Sequence, residues 1–298
     1  MAGLKEIRRR ITSIRNTKQI TRAMKLVSAA KLRRAQLAAE GGRDYRLRLE
    51  RIFKTLMDEV SGELDNPLLR APSVVKERVV IVYTSDRGLC GGFNANVIKA
   101  IQAEENRDGV NCRFVILGRK GVAAANRFGW QIEQRFENLH ESPALWPVDE
   151  AMRAATKAFL ANDATEVVIY YTKFISAMSQ RVAREVVLPF TFEASEKLPL
   201  RGQADGSDPS SQFAGFDFAL PPEQIVARVI PLLIKTKLVQ AALEAKASEH
   251  AARMTAMDSA TTNADDLISR LKLFYNRARQ GAITKELLDI VGGAEALK

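Results

Sequence analysis

A hydrophobic series at heptad spacing near the C-terminal end constrains the fold of this chain most strongly. The series covers four heptads and consists of Met257, Ala260, Ala264, Leu267, Leu271, Phe274, Ala278 and Gly281. A series of this length is typical of a coiled-coil helix, which buries its stripe only against another helix. The small residues in the series permit close approach of a second backbone. The helical segment opens at Pro221-Pro222, and Pro231 predicts a kink or a late start within it.

The N-terminal segment supplies a second long helix. Residues 3–60 contain no proline, and their only glycines are Gly3, Gly41 and Gly42. An unbroken helix here would be roughly 80 Å long, with Gly41-Gly42 as a possible kink. The spacing predicts a seam that slips by one position, as a 3.6-residue turn does against a 3.5-residue repeat. This seam consists of Leu4, Ile7, Ile11 and Ile14, then Ile20, Met24, Val27 and Ala30, then Leu49, Phe53, Leu56 and Val60. The spacing alone leaves open whether the two terminal helices pair parallel or antiparallel.

In the middle of the chain the hydrophobic pattern is no longer that of a long helix. Three continuous apolar runs, at 79–84, 114–118 and 167–171, are typical of strands buried on both faces. Segments with a helical pattern separate these three runs, and the segment from Arg181 to Phe192 is predicted to add another strand. Alternating buried strands and helices predict an α/β (Rossmann-like) domain with a mostly parallel sheet. The helical patterns lie near 94–106, 119–127 and 149–161.

These patterns predict an α/β fold in which a coiled coil of the N- and C-terminal helices carries an inserted sheet domain. The last segment before the C-terminal helix is rich in glycine, proline and serine, which predicts a polar surface loop. The predicted division is an N-terminal coiled-coil helix at 1–62, the α/β domain at 73–195, the surface loop at 196–219 and the C-terminal coiled-coil helix at 220–298.

Positive charge is concentrated at the N-terminal end. The chain has 45 Lys and Arg against 35 Asp and Glu, and residues 1–36 hold 11 of the basic residues with Glu6 as the single acid. Such a stripe is either a solvated helix face or a surface for an acidic partner. One alternative is a basic coiled-coil protein that binds nucleic acid, with an affinity that falls steeply with salt. Against this alternative, residues 1–36 contain no aromatic side chain for stacking on bases.

Motifs for catalysis are missing from the sequence. The glycine-rich turn from Ser85 to Asn94 follows the first predicted strand, but it has neither dinucleotide-binding nor P-loop spacing. We therefore interpret it as a tight structural turn rather than a phosphate site. The two histidines, His140 and His250, lie in different segments without a surrounding motif, and the chain has only two cysteines. We expect no catalytic residue, no cofactor and no metal site. We also expect no secretory signal and no membrane-spanning segment, since no apolar run approaches about 18 residues.

Three segments resemble the gamma subunit of F-type ATP synthases, in that family's order and spacing. They are Ile7 to Gln36, Thr84 to Asn96 and Ser248 to Leu297. We expect a bacterial member, because the sequence shows no transit-peptide pattern and no cysteine-bearing chloroplast insert. The resemblance implies a non-catalytic rotor shaft whose terminal helices form a long antiparallel coiled coil. The implied partners are alpha and beta subunits, epsilon and the c-subunit ring, with catalysis on beta and no nucleic acid. The implied location is the cytoplasmic face of the bacterial inner membrane, reached through partner subunits.

The resemblance also implies which residues contact the alpha/beta ring. Met24 and Lys25 would face an acidic lever of a beta subunit. Arg279 and Gln280 would form a hydrogen-bonding catch to a beta loop, with Thr284 and Glu286 close by. The apolar tip from Ile283 to Val291, including Leu287, would turn in an apolar sleeve at the top of the ring.

Overall fold

A computed structural model describes residues 2–59, 66–70, 72, 74–105, 109–190 and 222–295. The main elements in chain order are α1 (Ala2–Glu59), β1 (Glu77–Tyr83), α2 (Phe93–Glu105), β2 (Asn111–Leu117), α3 (Arg119–Phe128), β3 (Gln131–Phe136), α4 (Val148–Leu160), β4 (Glu166–Phe174), β5 (Gln180–Leu188) and α5 (Pro222–Glu295). The predicted surface loop at 196–219 lies outside the described residues, as do the side chains of Leu56 and Val60.

The chain divides into two compact units. The helical unit comprises Met1–Ala30 and Arg253–Lys298, and the sheet unit comprises Lys31–Ala252. Helices α1 and α5 each contribute residues to both units. These bounds differ from the four segments predicted from the sequence, which follow changes in residue pattern, and that division stays a prediction.

The sheet has five strands in the order β3-β2-β1-β4-β5. Strands β1 to β4 run parallel, and β5 pairs antiparallel with β4. The prediction of a mostly parallel sheet is confirmed. Strand β1 is a continuous apolar run because both of its faces are covered, and Val79 to Tyr83 are fully buried. Edge strand β3 was missing from the sequence prediction, since its residues alternate between exposed and half-buried and form no apolar run.

Helices cover both faces of the sheet. Side chains of α1 and α5 in the sheet unit, among them Phe53, Ile234 and Leu238, share a core with Val79, Ile81 and Tyr83 of β1. Val80 and Val82 point to the other face, where they pack with Val97 and Ile101 of α2. The alternation along β1 therefore divides its side chains between two hydrophobic cores.

Helix α5 occupies the crevice at the carboxyl ends of β1 and β4. The Tyr83 hydroxyl donates to the Leu238 carbonyl oxygen at 3.1 Å, and Ser248 Oγ donates to the Thr172 carbonyl oxygen at 3.0 Å. In open α/β sheets this crevice, where the strand order reverses, is the usual ligand site. Here the chain's own helix lies against both strand ends.

Two predictions about helix interruptions are settled by the element bounds. Helix α1 continues through Gly41-Gly42, and α5 begins at Pro222 and runs through Pro231, so a late start is wrong. A Cβ atom on Gly42 would lie 2.6 Å from Gln240 Oε1. Gly42 therefore lies where α1 and α5 approach closely, and the absence of a side chain there allows the two helices to pack.

Candidate partner-binding surface

The helical unit is an antiparallel helix pair joined by polar contacts. Lys18 Nζ lies 2.5 Å from Asp265 Oδ1, and Lys25 Nζ lies 2.6 Å from Asp258 Oδ1. Between these ion pairs, the hydroxyl oxygens of Thr21 and Thr261 are 2.8 Å apart. Residue numbers rise along α1 while they fall along α5, so the antiparallel pairing is confirmed.

The α1 seam follows a strict heptad and does not slip. Leu4, Ile7 and Ile14 are half-buried and Ile11 is buried, as predicted. The seam then continues through polar side chains, at Lys18, Thr21, Lys25 and Ser28. Ile20 is 60% exposed and Val27 is 55% exposed, so the predicted slip to this second set is wrong. The prediction failed because it gave apolar residues priority, while this part of the seam is joined by hydrogen bonds and ion pairs.

The α5 seam is correct at every second predicted position and displaced by one residue at the others. Met257 and Ala264 are buried, as predicted. Leu267 is 45% exposed and Phe274 is 59% exposed, whereas Ile268, next to Leu267, is buried. Residues 267–268 and 274–275 are adjacent apolar pairs, so the seam could include either member of each pair. In the structure the seam includes the second member, and the contact between Thr21 and Thr261 belongs to the same arrangement. Gly281, the last residue of the predicted series, is also exposed.

The helical unit carries an exposed apolar surface that includes four residues predicted to lie in the seams, Ile20, Val27, Leu267 and Phe274. Large apolar side chains are exposed on both of its helices. Exposed apolar groups in such numbers mark a surface that contacts a partner. The members are Ile20, Leu26 and Val27 of α1, and Leu267, Leu273, Phe274, Ile283, Leu287, Leu288, Ile290 and Val291 of α5. We call this set the outer apolar surface.

The residues predicted to form the catch, Arg279 and Gln280, lie near the C-terminal end of α5, next to the exposed apolar residues at 283–291. Gln280, Thr284, Leu287 and Val291 share one helix face by their spacing, and Arg279 shares a neighbouring flank with Glu286, seven residues away. All six side chains are exposed, as is Ile283. Within the described part of the chain, no hydrogen bond or ion pair occupies the polar groups of Arg279, Gln280, Thr284 or Glu286. A cation, an amide and a hydroxyl beside apolar side chains can bind a polar loop on another protein.

The two predicted site residues of α1, Met24 and Lys25, are less exposed than the catch residues. Met24 is half-buried on the same face as Ile20 and Val27. The Lys25 ammonium is bound to Asp258 and keeps 38% of its side chain exposed. Lys25 is thus both part of the interhelical contacts and accessible to an acidic partner. Its pairing with Asp258 was not anticipated, although an acid opposite a lysine is a usual signal of interhelical pairing.

The glycine-rich turn after β1 is stabilised by its own side chains. The Asp86 carboxylate accepts hydrogen bonds from the backbone N–H groups of Arg119 (2.9 Å), Asn138 (3.2 Å) and Leu139 (2.6 Å). Arg119 is the first residue of α3, so a carboxylate already lies where a helix N-terminus would bind phosphate. This arrangement supports the interpretation of Ser85 to Asn94 as a structural turn.

A cavity of about 380 Å³ lies in the sheet unit between α1, α5 and the ends of β4 and β5. Three of its four cationic side chains have acidic partners within the chain, and Lys173 has none among the described residues. The pairs are Arg43 with Glu244, Arg46 with Glu50, and Lys237 with Glu185. Since the chain itself neutralises three of these four charges, the cavity does not define a site for a charged ligand.

Two features are missing from the residues that the structure describes. No group of three or more His, Cys, Asp or Glu side chains among them is arranged to hold a metal ion. No helix in the described ranges is both long and apolar enough to cross a membrane.

Comparisons with known proteins identify the family. The sequence model of a family described as ATP synthase matches residues 3–297. The chain is 40% identical to the ATP synthase gamma chain of Chloroherpeton thalassium over 100% of this chain and 99% of that protein. It is 43% identical to the gamma chain of Chlorobium phaeobacteroides, with the same coverage. The chain belongs to the ATP synthase gamma chain family.

Solved structures show the same fold. A chain in the mitochondrial ATP synthase of Euglena gracilis, a structure of OSCP, F1 and c-ring, matches with a TM-score of 0.67. The match covers 99% of this chain and 95% of that chain at 19% sequence identity. A chain in the central stalk and c-ring structure of the Tetrahymena thermophila enzyme matches with a TM-score of 0.55 over 81% of this chain. The prediction of a gamma-subunit fold is confirmed.

Proposed function

We propose that this chain is the central rotor shaft in the catalytic head of an F-type ATP synthase. Its alpha- and beta-subunit partners surround the helical unit, and epsilon and the c-ring bind elsewhere on the chain. Ion-driven rotation of the c-ring turns the shaft, and the shaft changes the conformation of each beta catalytic site in turn. The chain itself is non-catalytic and peripheral, on the cytoplasmic face of a bacterial inner membrane.

The outer apolar surface is the observation that carries this proposal. An isolated helix pair gains nothing from exposing Phe274, Leu287 and Ile290 to water, because each large apolar side chain is worth about 1.5–3 kcal/mol when buried. A surrounding ring of subunits would cover these side chains on both helices. Apolar contacts have little directional preference, which suits a surface that must turn against its partners.

We assign the polar contacts with beta to two places. Arg279 and Gln280, with Thr284 and Glu286, form the catch for a beta loop, and the tip that includes Ile283, Leu287 and Val291 turns in the apolar sleeve. Met24 and Lys25 face a beta lever, and Asp258 holds the Lys25 ammonium in position. Exposed ion pairs contribute only about 0–1 kcal/mol each. Partners held by such pairs separate readily between steps.

A rotation experiment tests the proposal. Met178 is 83% exposed at the turn between β4 and β5, while Cys90 is buried. A Met178→Cys variant, made in a Cys112→Ser background, can therefore carry a bead at one place in an assembled complex immobilised through beta. We expect the bead to rotate in one direction while ATP is hydrolysed. A stationary bead on complexes that hydrolyse ATP at the normal rate would contradict the shaft role.

A further inference from the structure

Charged side chains from three elements meet around Glu141 in the sheet unit. Glu141 lies in the loop between β3 and α4, and its Oε1 is 3.0 Å from His250 Nε2 and 3.2 Å from Lys31 Nζ. Its Oε2 is 3.6 Å from Lys246 Nζ, which is itself 3.2 Å from Glu249 Oε2. One carboxylate of the loop thus contacts α1 through Lys31 and α5 through Lys246 and His250.

The loop that carries Glu141 is attached firmly to the sheet. Asp86 accepts the backbone N–H groups of Asn138 and Leu139. The Trp146 indole N–H donates to the His140 carbonyl oxygen at 2.8 Å, and its ring packs edge-on against Tyr83 of β1. Glu141 is therefore carried by a loop that hydrogen bonds and ring packing fix to the sheet.

The α5 side of these contacts is buried, whereas Lys31 of α1 is 38% exposed. The side chains of His250, Lys246 and Glu249 are 4%, 10% and 8% exposed, whereas Glu141 is 51% exposed. Burial alone would raise the pKa of Glu141, but the nearby charges of Lys246, Lys31 and His250 outweigh this effect and lower it below its ordinary value of 4.5. Glu141 is therefore ionised at neutral pH, and its contacts are charge-assisted hydrogen bonds or ion pairs.

We infer that Glu141 is an electrostatic latch that fastens the α/β sheet to both long helices through Lys31, Lys246 and His250. Without it, Lys246 keeps Glu249 as a partner, but the loop loses its polar contact with the helices. The latch adds contacts of the loop with α1 and α5 to the shared core and the two hydrogen bonds that already join the sheet to α5. It is a property of the folded chain, so its test needs no partner subunit.

Hydrogen–deuterium exchange on the full chain tests the latch. We expect Glu141→Gln to increase the exchange of backbone amides at 138–146 by about tenfold, since a charge-assisted contact between the loop and the two helices is lost. Glu137→Gln is the matched control, because Glu137 lies at the start of the same loop and its ion pair among the described residues is with Arg119, at 3.5 Å, and not with α1 or α5. Equal exchange in the two variants would overturn the latch.

A second pair of variants covers the case in which Glu141→Gln fails to fold. His250→Gln keeps an N–H donor near the position of Nε2, whereas His250→Phe keeps the ring but has no donor. We expect His250→Gln to retain slow exchange at 138–146 and His250→Phe to lose it. Equal exchange in these two variants would show that His250 only fills space and would contradict the latch.

Discussion

Replacing Arg279 and Gln280 together by alanine is expected to lower ATP synthesis by the assembled enzyme at least tenfold. Hydrogen bonds that involve a charged group contribute about 1.5–3 kcal/mol, and each 1.4 kcal/mol is a factor of ten. Both side chains are exposed, so their removal leaves the chain's own packing unchanged. ATP synthesis in membrane vesicles measures the effect, with thermal unfolding of the isolated chain as the check on its stability.

Arg277→Ala is the matched control for the catch. It removes the same guanidinium charge from the same helix, but its side chain points about 160° away from that of Arg279. We expect near-normal synthesis from Arg277→Ala. Equal losses in the control and the double variant would show that the effect comes from the loss of positive charge on α5 and not from the catch. Normal ATP synthesis by the double variant would show that Arg279 and Gln280 form no catch.

Replacing Gly118 by alanine is expected to destabilise the sheet unit by about 3 kcal/mol or more. Gly118 has a φ of +110°, which disfavours any residue with a side chain. A Cβ atom there would lie 2.3 Å from the Thr84 carbonyl oxygen, a backbone atom that cannot rotate away. Strain of the backbone and overpacking each cost about 1–3 kcal/mol. Urea unfolding of the full chain, followed by circular dichroism, measures the loss.

Gly129→Ala separates the two parts of this effect. Gly129 caps the same helix α3 with a φ of +71°, but nothing lies within 4 Å of a Cβ atom placed there. We expect a cost of about 1–2 kcal/mol from the left-handed backbone alone. If Gly118→Ala costs no more than Gly129→Ala, the close approach of Thr84 contributes nothing.

The strands and helices of the sheet unit could largely be predicted from periodicity. The run from Val79 to Thr84 is apolar throughout because helices cover both faces, and such runs identify buried strands without structural knowledge. Strand β3 could not be found in the same way, since its inner face includes Gln134 between Ile132 and Phe136. The alternation of those three half-buried positions was the available signal.

The seams of the helix pair were harder to predict, for a physical reason. A seam prediction assumes that apolar side chains pack inward, but here Lys18, Thr21 and Lys25 face the other helix while Ile20 and Val27 point outward. Apolar residues that contact a partner protein cannot be distinguished in the sequence from apolar residues that pack within the chain. The catch at Arg279 and Gln280 followed only from family resemblance, and its role stays a prediction.

The composition of the complex that contains this chain tests the central claim most directly. A tagged copy should be recovered from gently solubilised membranes, and its complex weighed by native mass spectrometry. The shaft role predicts one copy of the chain together with alpha and beta subunits in a ring of three each, because a single shaft passes through the ring. Recovery of the chain alone, or with nucleic acid and without alpha and beta subunits, would contradict it.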